Sequence, residues 1–98
     1  MEDFVIASNN ENRVEAFYIQ EGTVMHTAQI NPGNKLKWSA PAPLIGGNSH
    51  GPLNNATRVE ACTDAQGMIQ VVAVTGNGAY VTCIQTQGGW EGWSQIEQ

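Results

Sequence analysis

Three kinds of side chain in this sequence could carry chemistry: two histidines (His26 and His50), nine scattered carboxylates, and three tryptophans (Trp38, Trp90 and Trp93). Nucleophilic or acid–base catalysis needs a base beside a nucleophile, with a third group to orient it. No Ser or Cys accompanies either histidine in that way, and no His/Cys spacing suggests zinc. A glycosidase needs two carboxyl groups about 5–10 Å apart across one cleft, and no pair is singled out here. The "DAQG" run from Asp64 lacks the repeated acidic ligands of a calcium loop and reads as a hairpin turn. Neither an enzyme nor a cofactor or metal is expected. The tryptophans point elsewhere. An indole can cover the C–H face of a sugar ring while nearby polar groups bond its hydroxyls. Trp90 is the leading candidate for such a surface, placed in the loop before the last strand. Trp38 and Trp93 are read either as wedges between structural units or as further sugar contacts.

Two of these indoles sit three residues apart, behind two glycines, in "TQGGWEGWSQIEQ". The element that must hold them emerges when the second half of the chain is laid over the first. "RVEAFYIQ" lies over "MIQVVAVT", "GTVMHTAQ" over "GAYVTCIQ", and "KWS" over "GWS", at an offset of about 55. Upstream, "VIASNNEN" lies over "VEACTDAQ" with Gly67 left over. This is an internal duplication, in which Trp38 is the counterpart of Trp93. Each copy reads as four short strands rich in Val, Ile, Tyr, Phe and Thr. The first four are expected at Phe4–Ser8, Arg13–Gln20, Thr23–Ile30 and Lys37–Ala42. The second four are expected at Arg58–Thr63, Met68–Thr75, Ala79–Thr86 and Trp93–Glu97. Asn, Gly and Asp in the turns supply the positive φ that tight hairpins need.

In the second strand of each copy both faces are apolar: Phe17 and Ile19 against Ala16 and Tyr18, Val71 and Ala73 against Val72 and Val74. A sheet wetted on one side would alternate more cleanly. Apolar character on both faces fits small sheets stacked between neighbours, as in a β-propeller. The expected fold is all-β: two four-stranded blades per chain, residues 1–46 and 57–98 joined by 47–56, with the propeller completed by oligomerisation. A jelly roll or sandwich is the simpler alternative, but it does not predict a duplicated four-strand unit.

Composition narrows the partners. Only 13% of residues are charged and the net charge is −5. Nucleic acid is not expected, because phosphate neutralisation needs clustered Lys and Arg. No apolar run approaches the ~20 residues of a membrane span, so no membrane insertion is expected. The acidic start "MEDFVIASNN" lacks the basic and apolar segments of a secretory signal. The expectation is a cytoplasmic protein, or one released by a route that the sequence does not show. Cys62 and Cys83 fall on strands one and three of one blade, about 9–10 Å apart. That is too far for a disulfide, and both are expected to be buried free thiols. His50, in the connecting loop, is expected to be solvated.

With the copies aligned, "NRVEAF", "GTVMHTAQ", "KWS" and "LIGG" in the first unit and "QGMIQVV", "TGNGAYVTCIQ" and "GGWEGWSQI" in the second resemble the repeat of bacterial propeller lectins such as the Photorhabdus lectins. The resemblance covers nearly the whole chain. It implies a propeller that binds fucose or a related hexose in pockets near or between blades, and it places His26 at the repeat's histidine. The chain departs from the repeat in its third strands, where Met25, Ala28, Val81 and Ile84 stand in place of tryptophans.

Two blades leave two broad apolar faces open, and such patches mark association surfaces. A closed homo-oligomer with blade two of one copy against blade one of the next is expected. A trimer of six blades is the first choice, a tetramer of eight the second and a dimer of four the third. The partners expected are glycans and further copies of the chain. The candidate sugar contacts are Trp90, Trp93, Trp38 and Tyr80, with Arg13, Glu15 and His26 as polar groups. Arg13 and Glu15 share a strand face and could pair. Gln29 and Gln85 recur in both units, either as ligand contacts or as structural hydrogen bonds. The leading function is a multivalent lectin. The alternative is a structural or protein-binding scaffold without sugar binding, engineered or derived from a longer propeller, a reading favoured by the missing third-strand indoles.

Overall fold

The computed structural model describes residues 3–48 and 50–97. Among them the chain forms eight strands: β1 (Phe4–Ser8), β2 (Val14–Gln20), β3 (Thr23–Ala28), β4 (Ala42–Pro43), β5 (Ala56–Thr63), β6 (Ile69–Thr75), β7 (Tyr80–Thr86) and β8 (Gly89–Gln95). They make two antiparallel meanders, β1-β2-β3-β4 and β5-β6-β7-β8, and no helix is present among the described residues. The turn chemistry is visible at the first hairpin. Glu21 and Gly22 join β2 to β3 with φ of 52° and 81°, the paired positive φ that a two-residue hairpin with the right twist requires.

Two strand expectations are corrected. The fourth strand, expected at Lys37–Ala42, is reduced to Ala42–Pro43, and Trp38 joins the sheet only through an isolated bridge to Gln29. Pro41 and Pro43 have no N–H to give to a ladder, so the pairing is broken into pieces: Ser39 N–H donates to Ala28 O and Leu44 N–H to Val24 O, both at 2.8 Å, on either side of the short strand. The last strand, expected at Trp93–Glu97, begins earlier, at Gly89, and contains Trp90.

The register of the duplication also moves. Asn9 Oδ1 accepts hydrogen bonds from the backbone N–H of Glu11 (2.9 Å) and Arg13 (3.2 Å), and Asp64 Oδ1 accepts from Gln66 (2.9 Å) and Met68 (3.0 Å). Asn9 and Asp64 are therefore counterparts. Asn12 (φ 62°) then matches Gly67 (φ 81°), and Gly67 is not an extra residue. Val5 matches Glu60 instead of Val59, since Val5 pairs with Phe17 and Glu60 with Val72. A slip of one residue exchanges the two faces of a strand, so this shift decides which side chains meet.

The two sheets pack face to face. Val5, Phe17, Ile19 and Val24 of the first meet Val59, Ile69, Val71, Ala73, Cys83 and Trp93 of the second. The core is mainly aliphatic, and its two aromatics, Phe17 and Trp93, are its largest members. Trp93, 2% exposed, is the largest fully buried side chain, and its Nε1–H donates to Leu44 O at 2.9 Å. The connecting segment lies along β8. Gly47 and Asn48 N–H donate to Trp90 O and Glu91 O, both at 2.9 Å. His50, expected to be solvated, is exposed, and its Nδ1 also donates to Trp93 O at 2.6 Å.

Both cysteines are free, but only Cys83 is buried. Cys62, expected to be buried, is exposed because it points to the side of β5 away from the sheet–sheet core. Burial raises the Cys83 thiol to about 11, with Glu91 adding to the rise and a backbone hydrogen bond from Gly92 opposing it.

Each sheet keeps one face open. On the first it carries Phe4 (54% exposed), Ile6 (58%) and Met25 around the buried Ala16, Tyr18 and Thr27; on the second, Val72, Val74 and Tyr80 (48%). By register, Phe4 and Ile6 match Val59 and Ala61, while Val72 and Val74 match Phe17 and Ile19. The open face of each sheet is thus the repeat counterpart of the face that the other sheet buries.

Candidate functional site

The two closely spaced indoles of β8 are explained by its backbone. Trp93 pairs with Cys83 and Trp90 with Gln85, so one residue of β7 stands opposite two of β8, Glu91 and Gly92. This is a β-bulge. In a regular strand, residues three apart point to opposite faces. The extra residue turns both indoles toward the first sheet, Trp93 into the core and Trp90 against its edge. Gly92 (φ 106°) is needed there, since a Cβ would strike the Asn48 side chain that donates to Trp93 O.

Beside Trp90 a cleft of about 490 Å³ opens between the sheets. One wall comes from the β1–β2 turn and from β2 and β3, with Arg13, Glu15 and His26. The other comes from the β7–β8 hairpin, with Gln85, the Gly88–Gly89 backbone and Trp90. The mouth is fixed by contact between turns. Asn10 N–H donates to Gly67 O at 2.7 Å, and Thr63 Oγ1 donates to Ser8 O at 2.6 Å.

The polar groups of the cleft are ordered. Gln85 Oε1 accepts from Ile69 N–H at 3.3 Å, which aims its amide nitrogen across the gap, where it donates to Glu15 Oε2 at 2.7 Å. Glu15 is only 4% exposed. Its other oxygen, Oε1, lies 3.6 Å from His26 Nδ1, beyond a good hydrogen bond. His26 stacks on Phe17 (ring centroids 6.3 Å apart), and Trp90 stands nearly perpendicular to both rings, at 5.8 Å from Phe17 and 6.0 Å from His26. Two buried donor-type atoms, Arg13 Nε and His26 Nδ1, have no hydrogen-bond partner among the described residues. Buried polar groups are normally satisfied, so these two atoms are the unusual feature of the cleft.

Of the sequence candidates, Arg13, Glu15, His26, Gln85 and Trp90 meet in this cleft. The other four lie elsewhere. Trp93 is in the core. Trp38 donates from Nε1 to Lys35 O at 3.1 Å, and Tyr80 is on the open face of the second sheet. Gln29 is buried, with Oε1 accepting from Val14 N–H at 2.9 Å. The expected Arg13–Glu15 pair does not form: Glu15 bonds Gln85, and the Arg13 Nη1 is 4.0 Å from Glu11. Trp38 bridges Gln29 as Trp90 pairs with Gln85, so Trp38 is the counterpart of Trp90 and not of Trp93. Asn9, Asn10 and Met68 line the cleft without having been singled out in the sequence. The Asn-rich turn was legible as a turn, but its reach to the next sheet leaves no local pattern.

A second cavity of about 350 Å³ lies between β1 and β5. Its lining includes Asp3 and the exposed pair Arg58–Glu60, with Arg58 Nη2 3.2 Å from Glu60 Oε2. Among the described residues, no group of three or more His, Cys, Asp or Glu could hold a metal ion.

No family model matches the chain, and no curated protein matches it in sequence.

Proposed function

We propose that the chain is a carbohydrate-binding protein whose ligand occupies the cleft between the two sheets. One observation carries this reading. An indole, Trp90, stands across an open cleft from a buried carboxylate, Glu15, with two unpartnered buried nitrogens, Arg13 Nε and His26 Nδ1, in the same wall. A hexose offers matching chemistry. Its C–H face covers an indole, its hydroxyls donate to a carboxylate, and its ring and hydroxyl oxygens accept from Arg and His. The likeness of the repeat to propeller lectins points the same way, toward fucose or a related hexose.

The same proposal includes assembly. The open faces match, by register, the two faces that already pack within the chain, so a second copy can add its first sheet to the second sheet of another. Such head-to-tail contacts close into a ring or run on as a filament. A ring of three copies and six blades is preferred, and four copies with eight blades is the next choice. Several sites on one ring would gain avidity on clustered glycans. The alternative, a scaffold without sugar affinity, is favoured by one feature: β3 and β7 carry Met25, Ala28, Val81 and Ile84 where the resembling repeat has indoles.

A glycan array read beside native mass spectrometry tests this. Binding to fucosylated or galactosylated glycans by an oligomer, lost in W90A without a change in assembly mass, is the expected result. No binding to any glycan at high micromolar protein would leave the scaffold reading, and a W90A chain that falls apart into monomers would make Trp90 an interface residue.

A further inference from the structure

We infer that the ligand site exists only at the join inside a chain, one per chain, and that the equivalent join between chains is a closed packing interface. The inference rests on the sugar-binding reading above and fixes where, and how often, that site occurs in an assembly. A ring of identical repeats would carry a cleft at every join. This chain supplies two kinds of join, and the register states what each contains.

At the inner join the first sheet contributes Arg13, Glu15, His26 and Ala28. Their counterparts in the second sheet are Met68, Gln70, Thr82 and Ile84, of which Met68 also reaches the inner cleft while the other three lie on the open face. Both charges are gone, the histidine is replaced by a hydroxyl, and the small Ala28 becomes the bulkier Ile84. The remaining polar groups are satisfied among themselves. Gln70 Nε2 donates to Thr82 Oγ1 at 3.1 Å, and Thr82 Oγ1 donates to Val71 O at 2.9 Å. At the inner join, by contrast, Arg13 Nε and His26 Nδ1 are buried without a partner among the described residues. A group with its hydrogen bonds already made gains little from a ligand, whereas an unpartnered buried donor gains much.

The opposite wall differs too. At the inner join it is the short β7–β8 turn, Gln87–Gly88, which leaves the cleft open. The neighbouring copy would instead bring its Trp38 and Gln29, with the longer 31–36 segment in place of that turn. Leu36, 93% exposed in the single chain, belongs to that segment, and Ile30 precedes it. Two large apolar side chains at the mouth of an uncharged cleft favour burial between copies over access for a sugar. The indole alone, recurring as Trp38, does not make a second site; the charged wall decides.

The test is calorimetric titration of the assembled protein with methyl α-L-fucoside and methyl β-D-galactoside. Saturation at one glycoside per chain is expected. W90F and E15Q each weaken binding by about tenfold or more, as the loss of one well-placed contact would, while W38F leaves affinity and stoichiometry unchanged. A further variant, Q70E/T82H, installs the carboxylate and the imidazole at the second join while leaving Met68 of the inner cleft untouched, and is expected to raise saturation toward two per chain in an assembly of unchanged mass. Saturation of the unaltered protein at two per chain, or loss of half the sites in W38F, overturns the inference while leaving the sugar-binding reading in place. Absence of binding by both glycosides removes the sugar-binding reading and the inference with it.

Discussion

The first sheet and the second are copies of one unit, yet they do different work. The second is more continuous: β6 alternates buried and half-buried residues along its length, and β8 runs for seven residues through its bulge. The first ends in a two-residue strand interrupted by prolines. The second contributes the core anchor, Trp93, and the aromatic wall of the cleft. The first contributes the charged wall. The difference teaches that the two sheets share a frame of hairpins and strand registers, while the side chains at matching positions differ in a way that makes the two halves complementary. A cleft lined by Glu15 on one side and Trp90 on the other needs both halves, and neither sheet carries it alone.

The contrast between the tryptophans can be broken most forcefully at the core. Trp93→Ala is expected to cost about 3–5 kcal/mol, because it removes a buried indole and its hydrogen bond to Leu44. Trp38→Ala, partly exposed at the matching end of the first sheet, is expected to cost about 1 kcal/mol or less. Urea unfolding monitored by circular dichroism checks both, and equal losses would contradict the assigned roles.

A smaller effect separates the sheets by pH. The first sheet has no cysteine, while Cys83 lies in the core of the second. Its folded value of about 11 lies above the usual one near 9. The folded chain therefore holds this proton more tightly than the unfolded chain. The resulting stability is fully present below about pH 9 and declines as pH rises toward 11, by about 2–3 kcal/mol in all. Stability curves at pH 8 and pH 11 are expected to show this decline in the unaltered protein and less of it in Cys83→Ala. The same burial predicts that a thiol reagent modifies Cys62 and spares Cys83 until unfolding.

The smallest expected difference lies in the paired turns. Gly67 and Asn12 occupy the same left-handed position. Gly67→Ala is expected to cost about 1–2 kcal/mol for the backbone, and its Cβ would also push on Asn10 across the sheet–sheet join. Asn12→Gly is expected to stay within about 0.5 kcal/mol of neutral. Thermal melts of the two variants compare them directly.

Much of the frame was readable from residue order. The duplication, the hairpin turns and the apolar alternation of β2 and β6 are local patterns, and β1 falls on the residues expected. Contact between sheets was harder to read. Aligning Val5 with Val59 because both are valine slipped the first strand by one position. The correct match, Asn12 with Gly67, depends on a backbone conformation that the two residue types share and their letters hide. Likewise, "KWS" resembles "GWS" more than it resembles "GGW", yet strand pairing makes Trp38 the partner of Trp90. The stretch between Gln29 and Trp38 is longer than that between Gln85 and Trp90, and this difference in the hairpin hides the match from a letter-by-letter alignment. Arg13, Glu15 and His26 were visible as polar residues on apolar strands. That Gln85 and Trp90 would face them followed only from the packing of the sheets.

The central claim is that a sugar sits against Trp90 in the cleft between the sheets. The three indole N–H resonances of the chain, followed by NMR during titration with methyl α-L-fucoside, test it most directly. The Trp90 signal is expected to shift to saturation while those of Trp93 and Trp38 stay in place. A saturating shift at Trp38 with Trp90 unmoved, or no shift at any of the three, would contradict the account.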